Sequence, residues 1–264
     1  MPAIVPAAGR SLRMGRPKLL LPYGGGTVLG ATVAALRGAG VSPIVVVASA
    51  GDAPLRAWCA AMAATGSAGA AAAVDAAATA PGEASAAPPA VDGTAGTAAQ
   101  SEGPETAAGV AGTAEAEAGA GALIVALNPA PERGMLSSIL EGLAALGGAG
   151  ELAKGGAPLL VCPGDLPALR AATVAELQRR LLAAGAGLAV PVWRGRRGHP
   201  LAIAPSLIPK MERLDPGRGL RHLLDLHAGD LLRVEVNDPG CLADLDTPED
   251  YERLRAGAEK PPGG

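Results

Sequence analysis

Short apolar runs and stretches of helical period alternate along this 264-residue chain. Residues 3–7 (AIVPA), 43–48 (PIVVVA), 123–127 (LIVAL), 158–162 (PLLVC) and 188–192 (LAVPV) are apolar at consecutive positions and only five or six residues long. Runs of that kind predict strands covered on both faces. Between them, the spacing of apolar positions predicts helices at 27–39, 54–63, 137–146 and 171–184, with a terminal helix at 247–256. Such alternation predicts an α/β fold, a Rossmann-like three-layer sandwich whose mostly parallel sheet carries helices on both faces. Ligands of such sheets bind at the carboxyl ends of the strands, so the loops there are where chemistry is expected.

One stretch breaks the pattern. Residues 60–121 are dominated by Ala, Gly, Thr, Ser, Pro and Glu and contain no Lys, Arg or His. A segment with so little side-chain volume and no period cannot bury enough apolar surface to order itself, so a disordered low-complexity insertion is expected. Loop-closure cost grows only logarithmically with length, so an insertion of this size leaves the surrounding domain foldable. The expected organisation is one domain built from residues 1–59 and 122–257, interrupted at 60–121 and followed by a disordered tail at 258–264. The insertion holds seven acids, so a chain of net charge −3 becomes +4 without it. A mildly basic body suits a polyphosphate ligand.

Composition narrows the function classes. The chain has no Phe and only 2% aromatic residues, so its core is expected to be Leu, Val, Ile and Ala, and stacking platforms for nucleic acid are scarce. Cys59, Cys162 and Cys241 are far apart, with neither zinc-site spacing nor disulfide density, which fits a reducing cytoplasm. The N-terminus lacks a basic region before its apolar stretch, and no Leu/Ile/Val-rich segment is long enough to span a bilayer. Neither a nucleic-acid nor a membrane partner is expected.

The strongest chemical signal is AAGRSLRMGRPKLLLP, residues 7–22, directly after the first strand. It is neither a Walker loop nor G-x-G-x-x-G. Gly9 and Gly15 let the backbone approach an anion, and Arg10, Arg13, Arg16 and Lys18 bring four cations into one loop. A triphosphate is the guest this arrangement suits. Further on stand Gly134-Met135-Leu136-Ser137-Ser138, Cys162-Pro163-Gly164-Asp165-Leu166-Pro167, Arg197-Gly198-His199-Pro200 and Asp244-Leu245-Asp246-Thr247-Pro248-Glu249-Asp250. Ser137 or Ser138 is also a good helix N-cap, and Asp165 a good turn former. Thr247 before Pro-Glu-Asp is also an ordinary helix start. A lone His such as His199 is often structural, and the cluster of Arg194, Arg196 and Arg197 could hold an acceptor phosphate or simply face solvent. His222 and His227, five apart, do not share a helix face.

Taken together these segments resemble the MobA-like NTP transferases, and most closely the molybdenum-cofactor cytidylyltransferases: the first matches LAAGxSxRMGxPKxLLP, the others GMxxS, GDxP, GHP and DxDTPED. Pro6 departs from the pattern, standing where the family commonly has Leu. The resemblance implies the nucleotide-diphospho-sugar transferase-like form of the fold. It also implies an Mg²⁺-dependent transfer of CMP from CTP to the phosphate of molybdopterin or a related acceptor, with a molybdoenzyme as a possible partner. It makes Ala7, Ala8, Gly9, Arg10, Gly15, Lys18, Ser137 and Ser138 nucleotide-binding and Lys18, Asp165 and Arg13 catalytic. Asp165 and Asp246 become metal ligands, Asp246 being favoured over Asp244, and His199 and Arg197 substrate-binding. Ala7-Ala8-Gly9 resembles the cytidine-selecting form of the loop rather than the guanine-selecting one. A guanylyltransferase, another phosphorylated acceptor, and a non-catalytic cofactor carrier stand as alternatives.

Overall fold

The computed structural model describes residues 1–9, 14–65 and 122–258. Of the expected insertion at 60–121, residues 60–65 instead continue a helix, Ala53–Thr65, whose Met62 is buried in the core; residues 66–121, the tail beyond Ala258, and Arg10 and Arg13 lie outside the described residues. Strand β1 (Ala3–Pro6) leads through the basic loop and a hairpin of β2 (Pro22–Tyr23) and β3 (Gly26–Thr27) into helix α1 (Val28–Gly38). Thr27 caps that helix, its hydroxyl accepting from Gly30 N at 3.0 Å, so the predicted start at 27 is the cap itself. Next come β4 (Ile44–Ser49), α2 (Ala53–Thr65), β5 (Leu123–Asn128), α3 (Met135–Ala145), α4 (Ala149–Lys154), β6 (Leu159–Val161) and α5 (Ala171–Ala184). The chain ends with β7 (Leu188–Trp193), β8 (Arg196–Arg197), β9 (Leu201–Ile203), α6 (Leu220–Leu226), β10 (Leu231–Glu235) and α7 (Pro248–Ala258).

Apart from the β2–β3 hairpin, which pairs only with itself, the strands form one sheet in the order β10-β7-β9-β6-β1-β4-β5, with β8 beside β7. Pairing is parallel between β1 and β4, β4 and β5, β1 and β6, and β7 and β10; β8 and β9 run antiparallel to their neighbours. Alternate residues face opposite sides, as a two-residue period demands. Ala3, Val5, Ile44 and Val46 join α1, α2 and α5 through Leu29, Val33, Trp58, Val174 and Leu177 in one core. Ile4, Val45 and Val47 join α3 through Leu136, Ile139 and Leu143, and the 3-10 segment Pro205–Arg213 through Leu207 and Ile208, in the other. The three-layer sandwich with helices on both faces is thus present. Gly142 lets α3 sit close on β1: a Cβ there would meet Ile4 Cγ2 at 2.6 Å.

The connectivity creates the place for a ligand. From β1 the chain moves outward to β4 and β5, then crosses back to lay β6 on the other side of β1. The loops leaving β1 and β6 therefore diverge from adjacent strand ends, the switch point at which doubly wound sheets open a crevice.

Candidate active site

A cleft of about 330 Å³ opens at that switch point, within the range of small-molecule sites. It is lined by Pro6, Ala7, Ala8 and Gly9 after β1, by Lys18 and Leu19, by Pro131, Gly134, Met135 and Ser138 before and within α3, by Pro163, Gly164 and Asp165 after β6, and by Asp246. Pro6 is accommodated because it ends β1, where its lack of an N–H leaves no ladder bond broken; Ala7 N resumes the pairing with Val47 O at 2.9 Å.

Lys18 starts a 3-10 turn, Lys18–Leu20, and its ammonium is the hub of the site. Nζ donates to Asp165 Oδ2 at 2.6 Å, to the Leu245 carbonyl at 2.7 Å and to Asp246 Oδ1 at 3.1 Å. Burial alone would lower the Lys18 pKa, but Asp165 first and Asp246 second outweigh it and hold the ammonium above the ordinary lysine value. Three segments far apart in sequence thus share one charge. The assembly is braced by backbone: Leu245 N donates to Asp165 O at 3.1 Å, and Thr32 Oγ1 to Gly164 O at 3.2 Å.

Asp246 is held by a reciprocal cap at the start of α7. Asp250 Oδ2 accepts from Asp246 N, Thr247 N and Thr247 Oγ1, while Asp250 N donates back to Thr247 Oγ1. Burial opposes ionisation of Asp250, but the bonds from Arg253, Thr247 and the Asp246 N–H more than offset it and keep its pKa below the usual value. The capping reading of this motif and its role in the cleft are therefore compatible: Asp250 caps, and Asp246 is left to face Lys18. Asp244 is exposed and does not line the cleft.

The other expected residues divide between the cleft and its surroundings. Gly15 is exposed at φ 63°, a conformation glycine adopts freely, and lies outside the cleft lining. Ser137 and Ser138 are not N-caps: α3 begins at Met135 with Gly134 as its cap, so both serines fall inside the first turn and only Ser138 lines the cleft. Arg197 is exposed on β8, opposite Val192, and neither it nor His199 lines the cleft. His199 is anchored by its N–H to Cys241 O at 2.8 Å, and a Cβ on Gly198 would run into that same carbonyl. Solvent reaches the His199 side chain, yet crowding by protein pushes its pKa down against the pull of Asp165 and Asp244. Sequence reasoning missed Asn128, which ends β5 beneath the cleft wall, and Tyr251, whose hydroxyl donates to Pro22 O at 2.8 Å and whose ring carries Arg16 at 5.3 Å. A polar residue closing an apolar strand was the one available signal for Asn128.

A family model of the MobA-like NTP transferase domain matches residues 3–88 and 89–232. The chain belongs to this family. As a member of it, the protein is a nucleotidyltransferase with a Rossmann-like fold. Among solved structures it resembles a nucleotidyl transferase, Mth528, from Methanothermobacter thermautotroptrophicus, at 26% identity and a TM-score of 0.57, over 97% of this chain and 96% of that one. It also resembles Rv0371c from Mycobacterium tuberculosis H37Rv, at 25% identity and a TM-score of 0.56, with coverage of 97% and 96%. Molybdopterin-guanine dinucleotide biosynthesis protein A from Archaeoglobus fulgidus shares the fold at 14% identity and a TM-score of 0.53, over 99% and 100% of the two chains. No match is found among curated proteins. No helix among the described residues is long and apolar enough to cross a membrane.

Rv0371C from Mycobacterium tuberculosis H37Rv, in a structure that shares the fold at 21% identity and a TM-score of 0.53 over 97% of each chain, is in complex with manganese. The donors in this cleft suit a divalent ion. Asp165 Oδ1 is buried and has no hydrogen-bond partner, while Asp246 lies across Lys18 from it. Among the described residues no cluster of three or more His, Cys, Asp or Glu could enclose an ion. Two carboxylates with further oxygens supplied by phosphate and water is the donor set Mg²⁺ favours.

Proposed function

We propose that this nucleotidyltransferase passes CMP from CTP to the phosphate of molybdopterin or its metallated form. The observation that carries the reading is Lys18 shared between Asp165 and Asp246 in a cleft floored by Ala7, Ala8 and Gly9. An oxygen of the acceptor phosphate forms a bond to the α-phosphorus of CTP, the bond to the β-phosphate bridging oxygen breaks, and pyrophosphate leaves. A phosphate monoester is largely dianionic at neutral pH, so the chain needs no general base. What it must supply is in-line positioning and charge neutralisation. Lys18, with Arg13 and Arg10 of the same loop, binds the triphosphate, and the backbone of Ala7 to Gly9 and the turn at Gly15 let the loop approach it. Asp165 and Asp246 would hold Mg²⁺, which when bound offsets the charge that gathers on the phosphate oxygens. That Rv0371C forms a complex with manganese supports a divalent ion in this fold. Ser138, with Ser137 beside it, would border the nucleotide, and His199 and Arg197, which lie outside the cleft lining, would bind the part of the acceptor that extends beyond it. The catalytic unit is the domain on either side of the insertion, with α2 carried through to Thr65. The small side chains of Ala7 and Ala8, 3% and 7% exposed, favour CTP by the bulk they place beside the base.

The test is pyrophosphate release with each of the four NTPs, Mg²⁺ and molybdopterin. CTP is expected to be turned over best and Asp165→Asn to lose turnover by at least about 10³-fold with the fold intact. A preference for GTP would replace the base assignment, and near-normal release by Asp165→Asn would remove Asp165 from the mechanism.

A further inference from the structure

Asn128 closes β5 and is only 1% exposed. Its amide orientation is dictated by the backbone, because the Ala130 N–H needs an acceptor and takes Asn128 Oδ1 at 2.9 Å. The Nδ2 group therefore faces α3, and its two protons go to Ser137 Oγ at 2.8 Å and Ser138 Oγ at 2.9 Å. Both hydroxyls are thereby fixed as acceptors from Asn128. Ser137 places its own proton on Gly134 O at 2.7 Å. Ser138 has no acceptor for its proton among the described residues, although it is 3% exposed and lines the cleft. With its acceptor duty to the protein met by Asn128, the hydroxyl has its proton left for the cleft, where a bound ligand can accept it.

We propose that Asn128 is a positioning residue that fixes Ser138 as a hydrogen-bond donor into the cleft, and that Ser138 reads an acceptor atom on the base of the bound nucleotide. The inference rests on the cleft being the nucleotide site. The base rather than the phosphates is indicated by the sheet order. Lys18, Asp165 and Asp246 gather at the β1–β6 junction, whereas Ser138 belongs to the helix that comes after β5, and β5 lies on the far side of β1 and β4 from β6. At about 4.8 Å per strand, β5 and β6 are roughly 14 Å apart. The lining residues nearest Ser138 in the chain are Pro131, Gly134 and Met135, apolar surface that suits the faces of a heterocycle and offers no charge to a phosphate.

Asn128→Asp is the sharpest perturbation, since it keeps the shape, still serves Ala130 N, and turns both donors into acceptors, drawing the Ser138 proton away from the cleft. Binding is measured calorimetrically for CTP and for inorganic tripolyphosphate, with no acceptor substrate present, on the full chain, Ser138→Ala, Asn128→Asp and the double variant, with melting temperatures as the check on folding. Ser138→Ala is expected to weaken CTP about tenfold and leave tripolyphosphate unchanged, the loss of one neutral hydrogen bond. Asn128→Asp is expected to weaken CTP at least as much on the native background but to add less than threefold once Ser138 is Ala. In turnover the loss is expected in KM for CTP, with kcat held within about threefold. Ser138→Ala binding CTP within twofold of the native chain overturns the proposal, as does an equal loss of tripolyphosphate, or an Asn128→Asp effect undiminished by Ser138→Ala. Should Asn128→Asp fail to fold, Ser138→Ala with the two ligands still decides. A native chain that binds CTP while Ser138→Ala is neutral sinks this inference alone; one that binds no nucleotide sinks the reading of the cleft.

Discussion

Replacing Lys18 with Met keeps the length of the side chain and removes only the ammonium, leaving two carboxylates to face each other. Nζ stands 2.6 Å from Asp165 Oδ2 and 3.1 Å from Asp246 Oδ1. The two carboxylate oxygens are therefore at most about 5.7 Å apart, where unit charges repel by about 3 kcal/mol at an effective dielectric constant near 20. The Lys18 and Asp165 side chains are only 16% and 15% exposed, so solvent relieves this less than at an open surface; Asp246, at 33%, can hydrate more. For a domain of 150–250 residues, each kcal/mol moves the melting temperature by about 2–4 °C, so a fall of roughly 5–10 °C is expected for Lys18→Met in chelator. The same change removes a competitor for the carboxylates. Mg²⁺ or Mn²⁺ is then expected to raise the melting temperature of Lys18→Met by more than it raises that of the native chain, while nucleotidyl transfer is lost. Scanning calorimetry of both proteins in chelator and in excess divalent salt measures this. A variant that melts within about 1 °C of the native chain in chelator, or that gains no more than it does from the cation, would show that the two acids do not oppose each other across Lys18.

Contacts elsewhere in the molecule carry three further outcomes. Gly198→Ala drives a Cβ into the Cys241 carbonyl, a backbone group that cannot swing aside, so a loss of roughly 2–3 kcal/mol in urea unfolding is expected with an impaired His199 turn. Tyr251→Phe removes the donor to Pro22 O and is expected to cost about 1 kcal/mol, whereas Tyr251→Ala also empties the cluster of Met14, Leu21, Val28, Leu245 and Leu254 and should cost about 3–5 kcal/mol; denaturant midpoints separate the two. Burial, reinforced by Asp52 and Asp238 respectively, pushes the Cys59 thiol up to about 12 and the Cys241 thiol to about 11, and burial with Asp165 raises Cys162 further. A raised thiol pKa means the neutral form persists through pH 8, so iodoacetamide is expected to label none of the three until denaturant is added, as mass spectrometry would record.

What the sequence disclosed and what it concealed divide along physical lines. Strands β1, β4, β5, β6 and β7 were legible because each is a run of apolar residues with no charged position to interrupt it, and IVVVA, buried on both faces in β4, says so in five residues. Strand β10 was not, because Arg233 and Glu235 interrupt its apolar run and point to solvent, and β9 was not, because its short apolar run is enclosed by Pro200 and Pro205, which read as breakers. The start of α3 was misplaced by two residues for a related reason: its cap is Gly134 at φ 90°, which offers no side-chain oxygen, while two serines nearby look like better caps.

The site divides in the same way, and the division says what kind of information a motif holds. Lys18, Asp165 and Asp246 each sit in a segment that follows a strand or opens a helical turn, so those segments could be read one at a time; the separation of 147 positions between Lys18 and Asp165 did not matter because the β1–β6 switch point makes their loops neighbours by topology. Asn128 could not be read that way. Its significance lies in which of its two amide groups faces Ser138, and that was decided by an unrelated backbone N–H at Ala130. His199 and Arg197 show the converse, since their segment is recognisable while the cleft closes without them. The motif therefore marks where backbone must pass, here Gly198 against Cys241, as strongly as it marks a ligand contact. A residue whose role is fixed by chain position can be assigned from sequence, and one whose role is fixed by the direction of a proton cannot.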